Sequence, residues 1–181
     1  MKTFLCMPTW KLFIALFAPS IPLLYLALSL TENELVLSSG LVTVFDVLSF
    51  SAIYLWMYLL GLKLYDSLDK DLKERLNARL FKAVFFYLAT YGIVAILCSL
   101  APDHFVQNIK YLTVPTSLCA SFSLFYIPYF VSKYIIAHEK RVFPEFKDYV
   151  EILIQIWFLP IGIWFLQPRI RKLLDESSVA P

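Results

Sequence analysis

Asp66, Asp69 and Asp71 are the residues whose spacing most invites chemistry. Carboxylates three residues apart share a helix face, and such a pair at a membrane surface can hold Mg2+ for diphosphate chemistry. Lys70, Lys73 and Arg75 are interleaved with them, at the spacings that neutralise acids along a helix. The segment therefore reads as a solvated, self-paired face. His104 and His138 fall in connections on opposite sides of an apolar run, whereas a membrane haem needs two histidines at matching depth. His138-Glu139 lacks the second histidine of a zinc-protease helix. Cys6, Cys98 and Cys119 share no close spacing, so they form neither a C-x-x-C site nor a disulfide framework and behave as small apolar residues. No catalytic, cofactor-binding or metal-binding constellation is expected, and no cofactor.

Two features remain. Asp46 is the one carboxylate inside an apolar run; intramembrane carboxylates are costly and often functional, but this one lies near the outer end, where a cap or interface role suffices. The run Ile152 to Gln167, ILIQIWFLPIGIWFLQ, is the more informative. Proline removes a backbone donor and glycine weakens a helix, so Pro160 and Gly162 break it at its middle. Trp157 and Trp164 flank the break, Gln155 precedes it as a polar group able to bridge helices, and Gln167 and Arg169 follow.

The elements that must position these groups follow from composition. A chain of 181 residues has room for one domain, here 1–181. Its hydrophobic fraction is 60% and its charged fraction 17%, an apolar excess that a small core cannot hide. The excess must face lipid, so the lipid bilayer is the first expected partner. A net charge of +2 is too small to argue for nucleic acid.

A bilayer core about 30 Å thick needs roughly 20 apolar residues of helix. Four runs qualify: 12–30, 42–62, 83–101 and 112–131. The first is too long for a signal-peptide core, contains Pro19 and Pro22, and lacks a small-x-small site, so it is expected to remain as a span. Between the second and third lies a charged connection, 63–82. Leucines at 64, 68, 72, 76 and 80 keep roughly to one helical face there. In the fourth run, Ser117, Cys119, Ala120, Ser121 and Ser123 suggest a close-packing surface, and Pro115 and Pro128 suggest kinks.

Orientation follows from Lys and Arg. With both termini in the cytoplasm, fifteen basic residues lie inside and Lys110 alone outside. If Ile152 to Gln167 crossed as a fifth span, the balance would fall to twelve and four. Its sixteen residues, about 24 Å of helix, are marginal for a crossing. The expected fold is thus all-α, a polytopic membrane bundle of four transmembrane helices plus a re-entrant or interfacial hairpin over 149–168. Five transmembrane helices are the alternative.

From about Tyr54 to Asp175 the chain resembles a family of bacterial multi-pass membrane proteins with no assigned activity. The resemblance rests on LYDSLDKDLKERLNARLFK, on YFVSKYIIAHEKRVFPEFKDY, and above all on LPIGIWFLQPRIRKLL. The chain departs from the family at Leu68-Asp69, where a Leu-Pro step is commoner. The resemblance implies a bacterial cytoplasmic-membrane protein and supplies no mechanism. Three functions compete. The first is a non-catalytic subunit, scaffold or homo-oligomer in a membrane assembly. The second is a channel, transporter or membrane-disrupting effector using the Pro160-Gly162 break. The third is a lipid-modifying enzyme relying on Asp66, Asp69 or His138.

Overall fold

Charged and helix-breaking residues bound the apolar runs, and the helices follow those marks. In the computed structural model the described residues are 5, 7–17, 35–99 and 103–176, and their regular structure is helical throughout. Helix α1 spans Thr9–Phe17, α2 Leu35–Asp66, α3 Lys70–Leu76, α4 Ala78–Ser99, α5 Asp103–Lys140, α6 Phe146–Trp157 and α7 Leu159–Glu176. Three are long and apolar enough to cross a membrane, over Asp46–Asp66, Ala78–Ser99 and Val114–Lys140. They overlap the expected runs 42–62, 83–101 and 112–131. Of the run 12–30, residues 12–17 belong to α1 and 18–30 lie outside the described residues.

Helices α2, α4 and α5 pack on one another as a bundle; α6 packs on α5, α7 on α6, and α1 on α7 and α2. The core gathers at one end. There Trp56, Leu60 and Leu64 of α2, Phe81 of α4, and Ile127, Val131, Tyr134 and Ile135 of α5 are buried. The Phe81 ring lies 5.9 Å from that of Phe130 and 5.6 Å from that of Tyr134. It reaches them by passing over Gly61, where a Cβ would stand 2.8 Å from the ring. Toward the other end the helices bury little. Phe86, Ile93 and Leu97 of α4 and Leu118 and Phe122 of α5 are exposed, and only 6% of the α4 window is buried.

Proline explains one cross-link of this bundle. Pro128 has no N–H to offer the carbonyl of Leu124, four residues back. The Tyr54 hydroxyl of α2 donates to that carbonyl at 3.1 Å. Tyr87 of α4 likewise donates to the Thr116 carbonyl at 2.8 Å. Of the small residues on α5, Ala120 and Ser123 are buried, whereas Cys119 and Ser121 point outward.

Two boundaries differ from expectation. Leu64, Leu68, Leu72 and Leu76 are buried, but Leu80 is 48% exposed. Asn77 ends α3 in the left-handed conformation (φ 40°), so α4 restarts with a new phase and Phe81 takes the inward position. The acids of this connection do not follow the expected i,i+3 or i,i+4 pairing with Lys70, Lys73 and Arg75. Lys73 Nζ donates to the Asp66 backbone carbonyl at 2.8 Å, and Asp69 faces Arg141 at 4.0 Å. The second difference is that α5 runs on past Val131 to Lys140. Tyr134, Ile135, Ile136 and Ala137 are buried, because the last two helices supply an apolar neighbour that keeps this stretch helical. His138 is accordingly a buried helical residue, not a loop residue.

Candidate functional site

The last two helices hold most of the residues singled out in the sequence, and their geometry starts at a cap. Glu145 and Asp148 form a capping box at the start of α6, each side chain accepting from the other's backbone N–H. Lys140 Nζ meets Asp148 Oδ1 at 2.5 Å, tying the cap to the end of α5. From there α6 climbs back along α5. Tyr149 lies edge-on to Tyr129, ring centroids 5.5 Å apart, and Trp157 lies 4.9 Å from Phe125. The climb from the level of Lys140 to that of Phe125 is about 22 Å of helix.

The break falls at Phe158. Its N–H donates to the Ile154 carbonyl at 2.9 Å, closing α6. Its own carbonyl accepts from Ile161 and Gly162 at 2.9 and 2.7 Å, opening α7. Pro160 then occupies the second position of α7, where a helix has no use for an N–H. Gly162 serves close approach rather than bending, since a Cβ there would stand 1.9 Å from the backbone oxygen of Gln155. The run is nearly symmetrical as a sequence but not as a structure. Trp157 sits at the turn, while Trp164 lies six residues beyond Phe158, about 9 Å down α7.

Helix α7 then returns toward the end of α5. Trp164 lies 6.1 Å from Phe13 of α1. Gln167, fully buried, donates through Nε2 to the carbonyls of Leu5 and Met7 at 2.8 and 2.9 Å. Arg169 grips Glu139 with two parallel hydrogen bonds, Nε to Oε1 and Nη2 to Oε2, the second 2.5 Å long. The hydrogen bonds to the Glu139 carboxylate push the guanidinium pKa above its already high ordinary value, so the guanidinium stays charged.

These contacts sort the candidates. Trp157, Pro160 and Gly162 come together at the turn; Gln167 and Arg169 come together midway along α7 with Glu139 and the N-terminal segment. Gln155 does not bridge helices through its amide, which donates to Glu151 of the same helix at 3.1 Å. Asp46 stands apart, exposed at the start of the α2 window. Among the described residues, no group of three His, Cys, Asp or Glu is placed to hold a metal ion. The exposed side of the two helices carries Ile154, Trp157, Phe158, Ile161, Trp164 and Phe165.

Sequence reasoning missed two features. Glu139 as the partner of Arg169 had no local signal, since thirty positions separate them. The other is Lys133, whose Nζ lies 4.6 Å from the ring centroid of Tyr129 and 5.4 Å from those of Phe143 and Tyr149. Only Tyr129, one turn earlier on the same helix, could have pointed to it.

Fold and contacts define a class: an all-helical chain, three of whose helices are able to cross a membrane, with its last two helices pinned to the longest helix and to the N-terminal segment. No family model, no curated protein and no solved structure matches the chain.

Proposed function

We propose that this is a multi-pass protein of a bacterial cytoplasmic membrane, with four spans, both termini at the cytoplasmic face, and α6–α7 as a re-entrant hairpin. The observation that carries this is the pair of hydrogen bonds from Gln167 to Leu5 and Met7. They join the N-terminal segment to α7 beside the Arg169–Glu139 pair, near the Lys140 end of α5, which supports a reading with both termini on one side. A fifth crossing by 152–167 would carry Gln167 and Arg169 away from both partners. With that end in the cytoplasm, the fifteen-to-one distribution of basic residues is the orientation membranes select. The exposed apolar tip at Trp157, Phe158 and Ile161 suits a hairpin seated in lipid. Its backbone needs are met internally, as the bonds around Phe158 illustrate. A reporter fused after Pro181 tests the topology: a cytoplasmic signal is expected, and a periplasmic one overturns it.

Within that membrane the chain acts as a non-catalytic component, a small subunit, scaffold or oligomer-forming protein. The outer face of α4 supports this, because it contributes little to the chain's own core. Helices in lipid associate through close packing rather than hydrophobic burial, so such a face is available to a second copy or another subunit. The resemblance to the bacterial family carrying the PIGIWFLQPRI-type block supports the membrane placement and says nothing of the role. Cross-linking in native membranes, followed by native gel electrophoresis, should give a species above monomer mass; a lone monomer under both conditions overturns it. Depolarisation of expressing cells would favour the channel or effector reading instead. Loss of a lipid-modifying activity on alanine substitution of Asp66, Asp69 or His138 would favour an enzyme.

A further inference from the structure

The cations at the basic end of the bundle are unequally compensated. Lys140 meets Asp148, Lys147 meets Glu145 at 2.8 Å, and Arg169 meets Glu139. Arg141 donates to the Ser67 carbonyl at 3.3 Å, with Asp69 at 4.0 Å. Lys133 is held differently. The faces of Tyr129, Phe143 and Tyr149 surround its ammonium group, and rings attract a cation without cancelling its charge. Beside this collar, the α5–α6 connection and the first residue of α6 turn apolar side chains outward: Val142 is 53% exposed, Phe143 42% and Phe146 67%. Lys133 lies seven residues before Lys140, about 10 Å along α5 from the water-facing cap of α6. A lysine at that depth keeps its stem in the apolar layer and its head at the boundary. Rings exposed next to cations at such a boundary are the composition of an interfacial lipid contact.

From this geometry we infer that Lys133, in its collar of Tyr129, Phe143 and Tyr149, and the exposed Val142–Phe146 edge seat the headgroup phosphate of an anionic phospholipid. The lysine supplies the charge, the collar fixes its position, and Phe143 and Phe146 lie against the upper acyl chains. The rings are already filled by Lys133, so a choline headgroup, which would need the cage for itself, is disfavoured. The inference rests on the proposal that this end of the bundle lies at a membrane surface.

The test uses the full chain purified in mild detergent, with phosphatidylglycerol and phosphatidylcholine added in equal amounts and bound lipid read by native mass spectrometry. Phosphatidylglycerol should be retained about fivefold over phosphatidylcholine, the factor expected of one basic residue at an anionic surface. Lys133→Met should abolish the preference and Lys133→Arg should keep it, with glycerol phosphate displacing nothing. Equal retention of the two lipids by the unaltered chain overturns the site, as does an undiminished preference in Lys133→Met. Displacement by glycerol phosphate overturns it in favour of a soluble phosphate ligand. Should Lys133→Met fail to fold, the exposed pair Phe143→Ala and Phe146→Ala decides: retention must fall, and unchanged retention overturns the seat. Binding in detergent does not depend on orientation, so a periplasmic reporter signal would sink the topology while leaving this result intact.

Discussion

The two ends of the bundle are built from similarly apolar helices and hold together for different reasons. At the basic end, Phe81, Tyr134, Trp56 and Leu64 belong to one buried cluster, and the last helix is fastened by Glu139, Leu5 and Met7. Toward the other end, Ile93, Leu97, Leu118 and Phe122 face outward, and Tyr87 to Thr116 is a cross-link between α4 and α5 there. The basic end is packed by its own chain. The far end leaves much of its apolar surface to lipid or to neighbouring helices. Substitutions of the same kind should therefore cost much at one end and little at the other.

Glycines give the widest contrast, between the hairpin turn, which is also packed by its own chain, and the far end. A Cβ at Gly162 would lie 1.9 Å from the Gln155 oxygen, a backbone atom that moves only if α6 and α7 separate. Gly162→Ala should destabilise by ~3 kcal/mol or more, the upper end of overpacking costs. At Gly92, toward the far end, the added Cβ would meet a side-chain methyl of Val47 at 3.1 Å. That neighbour can shift, and alanine favours helix by about 1 kcal/mol, so Gly92→Ala should be neutral or slightly stabilising. Thermal unfolding of both variants in detergent checks the pair. Equal losses would erase the distinction between the self-packed hairpin turn and the far end.

The ion pair comes next. Side-chain exposures of 36% and 19% place Arg169–Glu139 between a surface pair and a buried one. Glu139→Gln leaves the guanidinium without its charge partner and should cost about 1–3 kcal/mol, short of the fully buried case. The swap Glu139→Arg with Arg169→Glu should recover part of the loss in the same assay. A double variant as weak as the sum of its parts would show that the pair does not fasten α7.

How much of this was legible in the sequence depends on the range of each contact. The long helices were legible because their apolar runs are bounded by Lys63, Lys82 and Pro102, which are local marks. The break in ILIQIWFLPIGIWFLQ was legible from Pro160 and Gly162. Its position at Phe158 was not, because phenylalanine carries no breaking signal and the decisive constraint is the Gln155 oxygen across the turn. Leu80 kept the four-residue spacing yet turned outward, since one left-handed residue at Asn77 reset the helical phase. Gln167 was noticed for its place in a block, but its partners lie 160 and 162 positions away. No periodicity encodes such a pairing.

That contact makes the third prediction. Gln167→Leu keeps the volume and removes both hydrogen bonds, leaving the Leu5 and Met7 carbonyls without their donor. A cost of about 1–2 kcal/mol is expected. The N-terminal segment should also become open to proteolysis in detergent, while α2, α4 and α5 stay protected. Unchanged protection of residues 5–7 would show that α1 is held by its leucines alone.

The smallest effect concerns the cap of α6. The hydrogen bond from Lys140, followed by that from the Glu145 backbone, holds the Asp148 carboxyl below the usual carboxylate range. A carboxylate with a lowered folded pKa adds stability that is present above its unfolded value and is lost as pH falls through the folded value. The unfolding midpoint of the unaltered chain should therefore fall on acidification below the ordinary carboxylate range. Asp148→Asn should start lower and lose less over the same interval, because asparagine still accepts from the Glu145 N–H but does not titrate. Since the Lys140 partner of Asp148 is half-exposed at the foot of α6, the difference between the two curves should be small and should shrink further in high salt. A difference that persists in salt would mean that this foot is less exposed than the rest of the basic end. Parallel curves would mean that the capping box, rather than the charge of Lys140, sets where α6 begins its climb.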